Sequence, residues 1–368
     1  MAIKPGMGRK STSKNPPIFS HEFVIQNHAD IISCVAMVFV VALMDESTSP
    51  FASAFISLHH NVTGEEPSRA NPHGKPFTYV AGIKDYCAIF FYTLTCIVMH
   101  AIIQEYILDK ISKRLHLSKF KLSLFNESGQ LIAFYVFSFF MGANIILREA
   151  YLSKFSLLWE QFPNHPMSFL HKLFFIIQMA YYLHMLPELY FQKVKKEEQQ
   201  NKIIHSIFGF SVICLAYTFS FQRIALVLLT LHYLGEMVAV VFQLIGVFDR
   251  DEKLASVRFV NNITFVFVRF ATMVIGVLTL YYGVAGENAL RAYVALFGLM
   301  VLQGYLIYSF ITEELRVTRE AKREAKLLQQ QQAKKSKAAK EKAKKAAKKE
   351  SDLPEADQSP SPAKSRVK

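Results

Sequence analysis

Eight stretches of this chain stay apolar for about 18 residues or more, at 29–48, 79–103, 130–147, 168–190, 203–221, 224–247, 259–284 and 293–312, with polar loops between them. A helix of roughly 20 apolar residues spans the hydrocarbon core of a bilayer. Lipid offers the backbone no hydrogen-bonding partner, so helices are the expected solution for such runs. The pattern predicts an all-α, polytopic membrane protein with eight transmembrane helices. The first span is the weakest, since Asp45 and Glu46 fall near its end. The loop between the fifth and sixth is a tight turn with Gln222 and Arg223 at its tip.

Positive charge in the loops orients these spans. Residues 1–28, 104–129, 191–202 and 248–258 together hold 16 Lys and Arg, whereas 45–78, 148–167, 222–223 and 285–292 hold 6. This bias places both termini in the cytosol. Of three glycosylation sequons, Asn61-Val-Thr lies in the largest non-cytosolic loop, while those at Asn126 and Asn262 fall on the cytosolic side. Asn61 is therefore the expected glycan acceptor.

The cytosolic faces carry two basic features. After the second span, Ile107, Leu108, Ile111, Leu115 and Leu122 recur near helical spacing, with Lys110, Lys113, Arg114 and Lys119 among them. Either a basic amphipathic helix lying in the interface or a helical extension of the second span fits that pattern. From residue 313 onward there are 17 Lys and Arg. Residues 313–350 are rich in Ala, Lys, Glu and Gln, which favours helix; 351–368 turn to Pro, Ser, Asp and Glu, which reads as disorder. An arm bearing Lys334, Lys335, Lys344, Lys345, Lys348 and Lys349 without aromatic residues neutralises phosphates without reading sequence. Ribosomal RNA, anionic lipid and a merely solvated topology determinant all fit it. The chain opens on a basic arm that ends in Pro16-Pro17, after which Ser20 is placed to cap a short helix.

Composition narrows the chemistry. The chain has 368 residues, is 52% hydrophobic and carries a formal net charge of +13. Its four cysteines, Cys34, Cys87, Cys96 and Cys214, fall inside predicted spans without metal or disulfide spacing, and read as small buried apolar residues. The long polar lead before Ala29 is unlike a cleavable signal peptide, so the first span is expected to act as its own anchor. No paired His at helical spacing, H-E-x-x-H, G-x-S-x-G or P-loop is present. No cofactor, metal or catalytic residue is expected.

Ionisable residues inside spans are functional candidates, because burying charge in lipid is costly. Glu236 lies about three turns before the cytosolic end of its helix, and Arg269 about three turns after the cytosolic start of the next. Both fall near mid-bilayer and are expected to face each other as an ion pair or to share a watery cavity. Lys84, Asp85 and Lys172 lie close to the opposite surface, where snorkelling is cheap. His184 and Glu188 share a helix face and bracket Pro187, which is expected to kink that helix. They serve either to bond neighbouring helices or as a polar cavity wall.

Three strings make the chain resemble the translocating chain-associating membrane protein family of the TLC superfamily: SHEFVIQNHADIISCVAMVF from Ser20, IQEYILDKISKRLHLSKFKLSLFNESGQL from 103, and YYLHMLPELYFQKVKKE from 181. The resemblance runs in register from about residue 1 to 315. It implies a TLC-like helical barrel over about 117–320, preceded by a basic arm (1–28) and two spans with a luminal loop and amphipathic segment (29–116), and followed by a lysine-rich tail (321–368). It implies an endoplasmic reticulum membrane protein, glycosylated where Asn61 stands, that helps nascent secretory and membrane proteins engage or leave the protein-conducting channel. The implied partners are the Sec translocon, the ribosome and signal sequences, together with membrane lipids. Glu236, Arg269 and His184 are then the residues expected to line an intramembrane polar groove. The catalytic relatives in the superfamily are ceramide synthases with adjacent histidines. The corresponding stretch here, NKIIHSIFGFSVICLAY, holds His205 alone. A non-enzymatic role is therefore expected, with a sphingoid-base acyltransferase and a lipid transporter as the alternatives.

Overall fold

The computed structural model describes residues 20–65, 74–192, 196–248 and 254–351 of the protein. Positions 1–19 of the basic arm and the expected disordered end after Ser351 lie outside that range. The helices are α1 (His21–Gln26), α2 (His28–Ala42), α3 (Ser49–Ile56), α4 (Asp85–Ile102), α5 (Asp109–Leu115), α6 (Lys119–Arg148), α7 (Phe169–Phe191), α8 (Lys196–Thr218), α9 (Gln222–Phe248), α10 (Leu254–Val277) and α11 (Ala285–Ser351). Wider π-helical turns at Ile103–Leu108 and Leu278–Val284 follow α4 and α10. The chain forms two compact units, Met1–Met300 and Val301–Lys368.

Serine caps start α1, α6 and α7. The hydroxyl of Ser20 accepts from the Phe23 amide at 3.1 Å, that of Ser118 from Lys121 at 3.4 Å, and that of Ser168 from His171 at 3.3 Å. Each satisfies an amide that the helix itself cannot. In the first unit α6 packs along α9, α4 against α7, α7 against α8, and α10 against α9. The α6–α9 approach is close because Gly142 has no β-carbon; one there would strike Thr230 Oγ1. Phe134 stacks flat on Tyr181 with ring centroids 3.3 Å apart, and Tyr233 lies fully buried beside it. In the second unit Arg316 bridges Glu313 and Glu320 along the exposed face of α11, pairs that add little stability.

Among the described residues, five helical runs are long and apolar enough to cross a membrane: Asp85–Leu115, Lys119–Arg148, Phe169–Phe191, Gln222–Phe248 and Arg258–Glu320. The last is broken at Asn288, whose backbone (φ −152°, ψ 90°) is not helical. The expected first span is cut short. Asp45 accepts from the Thr48 amide and Thr48 Oγ1 bonds the Ala42 carbonyl at 2.7 Å, so α2 ends after 15 residues and the chain turns into α3. In α8 the leading charged turns, Lys196 to Lys202, dilute the apolar run.

Three other expectations need correction. The second span begins at Asp85, because Lys75–Tyr79 forms a strand (β2) antiparallel to Asn61–Glu65 (β1). Tyr79 then exchanges both backbone hydrogen bonds with Met167 at 2.8 Å, which ties the hairpin to the turn before α7. Lys172 does not snorkel but is fully buried. Cys34 is exposed on α2 rather than buried. Between the two readings of the segment after the second span, the structure has the helical extension: α4 runs through its π turn into α5 and ends at His116, which adopts the left-handed φ of 50°.

Candidate intramembrane polar site

The site is built where α9 and α10 pack together. Glu236 lies near the middle of the 27-residue α9, roughly 21 Å along a helix of about 40 Å. His232 is one turn earlier on the same face, and Arg269 reaches across from α10. Arg269 Nη2 donates to His232 Nδ1 at 3.2 Å and lies 3.8 Å from Glu236 Oε1; the His232–Glu236 separation is 3.7 Å. Because His232 Nδ1 accepts that hydrogen bond, its proton resides on Nε2. The guanidinium also lies over the Phe265 ring at 5.1 Å. Its side chain is 4% exposed whereas that of Glu236 is 34% exposed, so the cation is sheltered and the carboxylate faces outward. At 3.8 Å the ions attract without a direct hydrogen bond. The carboxylate therefore retains acceptor capacity for an incoming polar group. His205 on α8 is exposed, with its ring 5.8 Å from Tyr182; the adjacent Ser206 is buried with its hydroxyl on the Tyr182 carbonyl.

His184 makes its contacts elsewhere. It is buried on α7, gives its Nδ1 proton to the Tyr181 carbonyl, and faces the His100 ring at 5.8 Å. Near it Glu188 lies 3.4 Å from His100 Nε2, and α7 continues through Pro187 to Phe191. Asn61 is the exposed first residue of β1. Asn126 and Asn262 lie half-buried within α6 and α10. Lys334 is exposed on α11; Lys335, Lys344, Lys345, Lys348 and Lys349 lie in helical backbone, their side chains outside the described residues.

Two polar clusters went unrecognised in the sequence. Lys172 Nζ binds Asp85 Oδ1 and the carbonyls of His59 and Val80, each at 2.7 Å, while Asp85 Oδ2 accepts from Tyr217 at 2.7 Å and the Gly82 amide at 2.8 Å. The second sits in the loop after α6. Glu149 accepts from Ser168 at 2.5 Å and from Tyr151, and lies 3.3 Å from His171 Nδ1. Burial alone would raise the Glu149 carboxyl, but the bonds from His171, Ser168 and Tyr151 and the nearby imidazole hold it at about 2. Asp85 and Lys172 had a legible signal, namely matched depth on two helices, the same criterion that paired Glu236 with Arg269. Glu149 had none, since Tyr151 comes from the irregular turn itself and Ser168 and His171 from the start of the next helix.

Among the described residues no group of three or more His, Cys, Asp or Glu is arranged to hold a metal ion. The fold, the spans and the buried charges describe a multi-pass helical membrane protein, and residues 124–312 match the TLC domain. Translocating chain-associated membrane protein 2 of Mus musculus and of Homo sapiens are each 37% identical over 329 residues, covering 85% of this chain and 86% of theirs. The chain belongs to the translocating chain-associated membrane protein family. Sphingosine N-acyltransferase lag1 of Schizosaccharomyces pombe is 25% identical over 208 residues, covering 56% of this chain and 50% of its own.

Proposed function

We infer that this protein is a non-enzymatic accessory factor of the endoplasmic reticulum translocon, assisting signal-sequence engagement and membrane insertion of nascent chains. The family supports the client class, since its members named above are translocating chain-associated proteins. One observation carries the mechanism: a partly exposed carboxylate backed by a sheltered guanidinium at mid-span. A weakly hydrophobic signal sequence leaving an aqueous channel must strip water from its polar residues, which costs about 1–3 kcal/mol for each group left unbonded. Glu236, with Arg269 and His232 behind it, offers such residues a partner while their apolar neighbours meet lipid. His184, buried on α7 beside Tyr181 and His100, stands apart from this pair.

In this reading the chain crosses the membrane eight times, α2, α8 and the halves of the Arg258–Glu320 run included, with both termini cytosolic and Asn61 glycosylated in the lumen. The TLC barrel covers 117–320. The tail, with Lys334 and the lysines beyond it, approaches the ribosome and its RNA without sequence preference.

The test is crosslinking of stalled nascent chains in microsomes. Replacing Glu236 and Arg269 together by Leu is expected to reduce crosslinks to weakly hydrophobic signal sequences several-fold and to leave strong ones unchanged. Equal crosslinking of both classes contradicts the mechanism. The acyltransferase alternative rests on the lag1 similarity and His205; ceramide formed from acyl-coenzyme A and sphingoid base, and lost in His205→Ala, would favour it.

A further inference from the structure

The end of the Asp85–Leu115 run has a surface that the groove does not use. The run is 31 residues, about 46 Å of helix against a hydrocarbon core of about 30 Å. With Asp85 held at the far end by Lys172 and Tyr217, Lys110 lies about 38 Å along, beyond the acyl chains and among headgroups. The π turn at Ile103–Leu108 inserts an extra residue per turn and so changes which face of the helix is buried. At its end Leu108 packs inward with Phe125 and Val247, while Ile107 in the same turn and Ile111 and Leu115 beyond it, spaced four apart, face outward at 50%, 43% and 36% exposure. Phe120 at the start of α6 is 79% exposed.

Around this apolar stripe stand exposed Lys110, Lys113, Arg114 and Lys119, with His116 at the turn. Lys110 lies over the Tyr106 ring at 5.3 Å, and Tyr106 is itself exposed, as aromatic residues at a membrane interface are. Lys121 is occupied, donating to the Val247 carbonyl at 2.9 Å. Among the described residues of the π turn and α5, two carboxylates oppose these cations. Asp109 is turned back to accept from Gln104 at 2.7 Å, which leaves Glu105 as the exposed one. The cations of α6's first turn also sit at the positive end of that helix's dipole, a placement that repels them unless an anion is present.

We propose that the α5–α6 junction docks the headgroups of anionic phospholipids in the leaflet it meets. Cations beside outward-facing aliphatic side chains complement a bilayer interface, which takes both the charge and the apolar stripe. A nucleic acid would accept the charge and leave Ile107, Ile111 and Leu115 in water.

The test uses the full chain carrying Phe120→Trp, reconstituted in phosphatidylcholine vesicles with a fixed fraction of acyl-brominated phosphatidylserine or acyl-brominated phosphatidylcholine. The unsubstituted protein supplies the baseline, since Trp159 lies beyond the opposite end of α6, about 45 Å away. Quenching of the new tryptophan is expected to be at least twofold greater with brominated phosphatidylserine. The excess should vanish in Lys110→Gln/Lys113→Gln/Arg114→Gln/Lys119→Gln, whose side chains are exposed and whose loss leaves the fold intact. Equal quenching by the two lipids overturns the proposal, as does an excess that survives the quadruple substitution. Preferential binding of ribosomal RNA to this segment in place of lipid also overturns it.

Discussion

Arg269 makes a choice that sets the chemistry around it. Its guanidinium gives its 3.2 Å hydrogen bond to His232 and leaves Glu236 at 3.8 Å. The planar guanidinium reaches both groups through Nη2 while its face lies over the Phe265 ring, a shape that a lysine ammonium does not reproduce. Arg269→Lys is therefore expected to keep the charge yet lose the weak-signal crosslinks about as fully as Arg269→Leu; crosslinking retained by the lysine variant would show that charge alone suffices. The ion pair was readable from depth along two helices. His232 was visible as a span residue one turn from Glu236, but its role depended on which atom the arginine reached, and spacing does not encode that. A second residue-scale prediction concerns His165, buried in the loop before α7. Burial first, then the neighbouring Arg223 and His171 charges, lowers its imidazole to about 4, against partial opposition from Gln222 and Glu149. The folded state thus resists protonation that the unfolded chain accepts near its ordinary value of about 6.5. Below that value the unfolded state binds more protons, so stability falls as the pH drops from about 6.5 to about 4. His165→Asn should flatten this part of the pH–stability curve measured by thermal unfolding in detergent, and an unchanged slope would contradict it.

At the scale of elements, the Asp85–Lys172 pair joins α4 to α7 and, through His59 and Val80, to the β hairpin. Removing one member of a buried pair strands the other charge, at a cost of about 3–5 kcal/mol. Lys172→Met is expected to lose about that much, and Asp85→Asn/Lys172→Met to recover a substantial part, read as thermal stability of the purified protein. A double variant no better than the single one would mean that the lysine's bonds to the two carbonyls, rather than the ion pair, hold the hairpin. The sequence located these residues but misassigned them as snorkelling, because hydropathy cannot tell that the β1–β2 hairpin folds back over a helix end. Helix cores were the most legible elements: α4, α6, α7 and α9 each hold an apolar run long enough to cross a membrane. Helix ends were less so. The α2 stop depends on Asp45 and Thr48 side-chain bonds, and the continuation of α4 through a π turn has no marker in the apolar pattern.

For the whole molecule, the loop-charge bias predicts an orientation of the bundle and the family suggests its setting, but the number of crossings depends on α2, α8 and the broken Arg258–Glu320 run. An eight-span arrangement predicts that Asn61→Gln abolishes the glycan-dependent mobility shift of the protein expressed with microsomes, and that Asn126 and Asn262, held within helices, contribute nothing to it. A shift that persists in Asn61→Gln would reverse the orientation. The central claim is that a client's polar residues meet the Glu236 carboxylate inside the membrane. Its most direct measurement places a photoreactive residue at position 205, on the exposed face of α8, and irradiates microsomes bearing ribosome-stalled chains. The account predicts adducts with the signal sequence, stronger for weakly hydrophobic signals and lost when Glu236 and Arg269 become Leu. Adducts formed only with lipid, or equally with every signal sequence in both backgrounds, would contradict it.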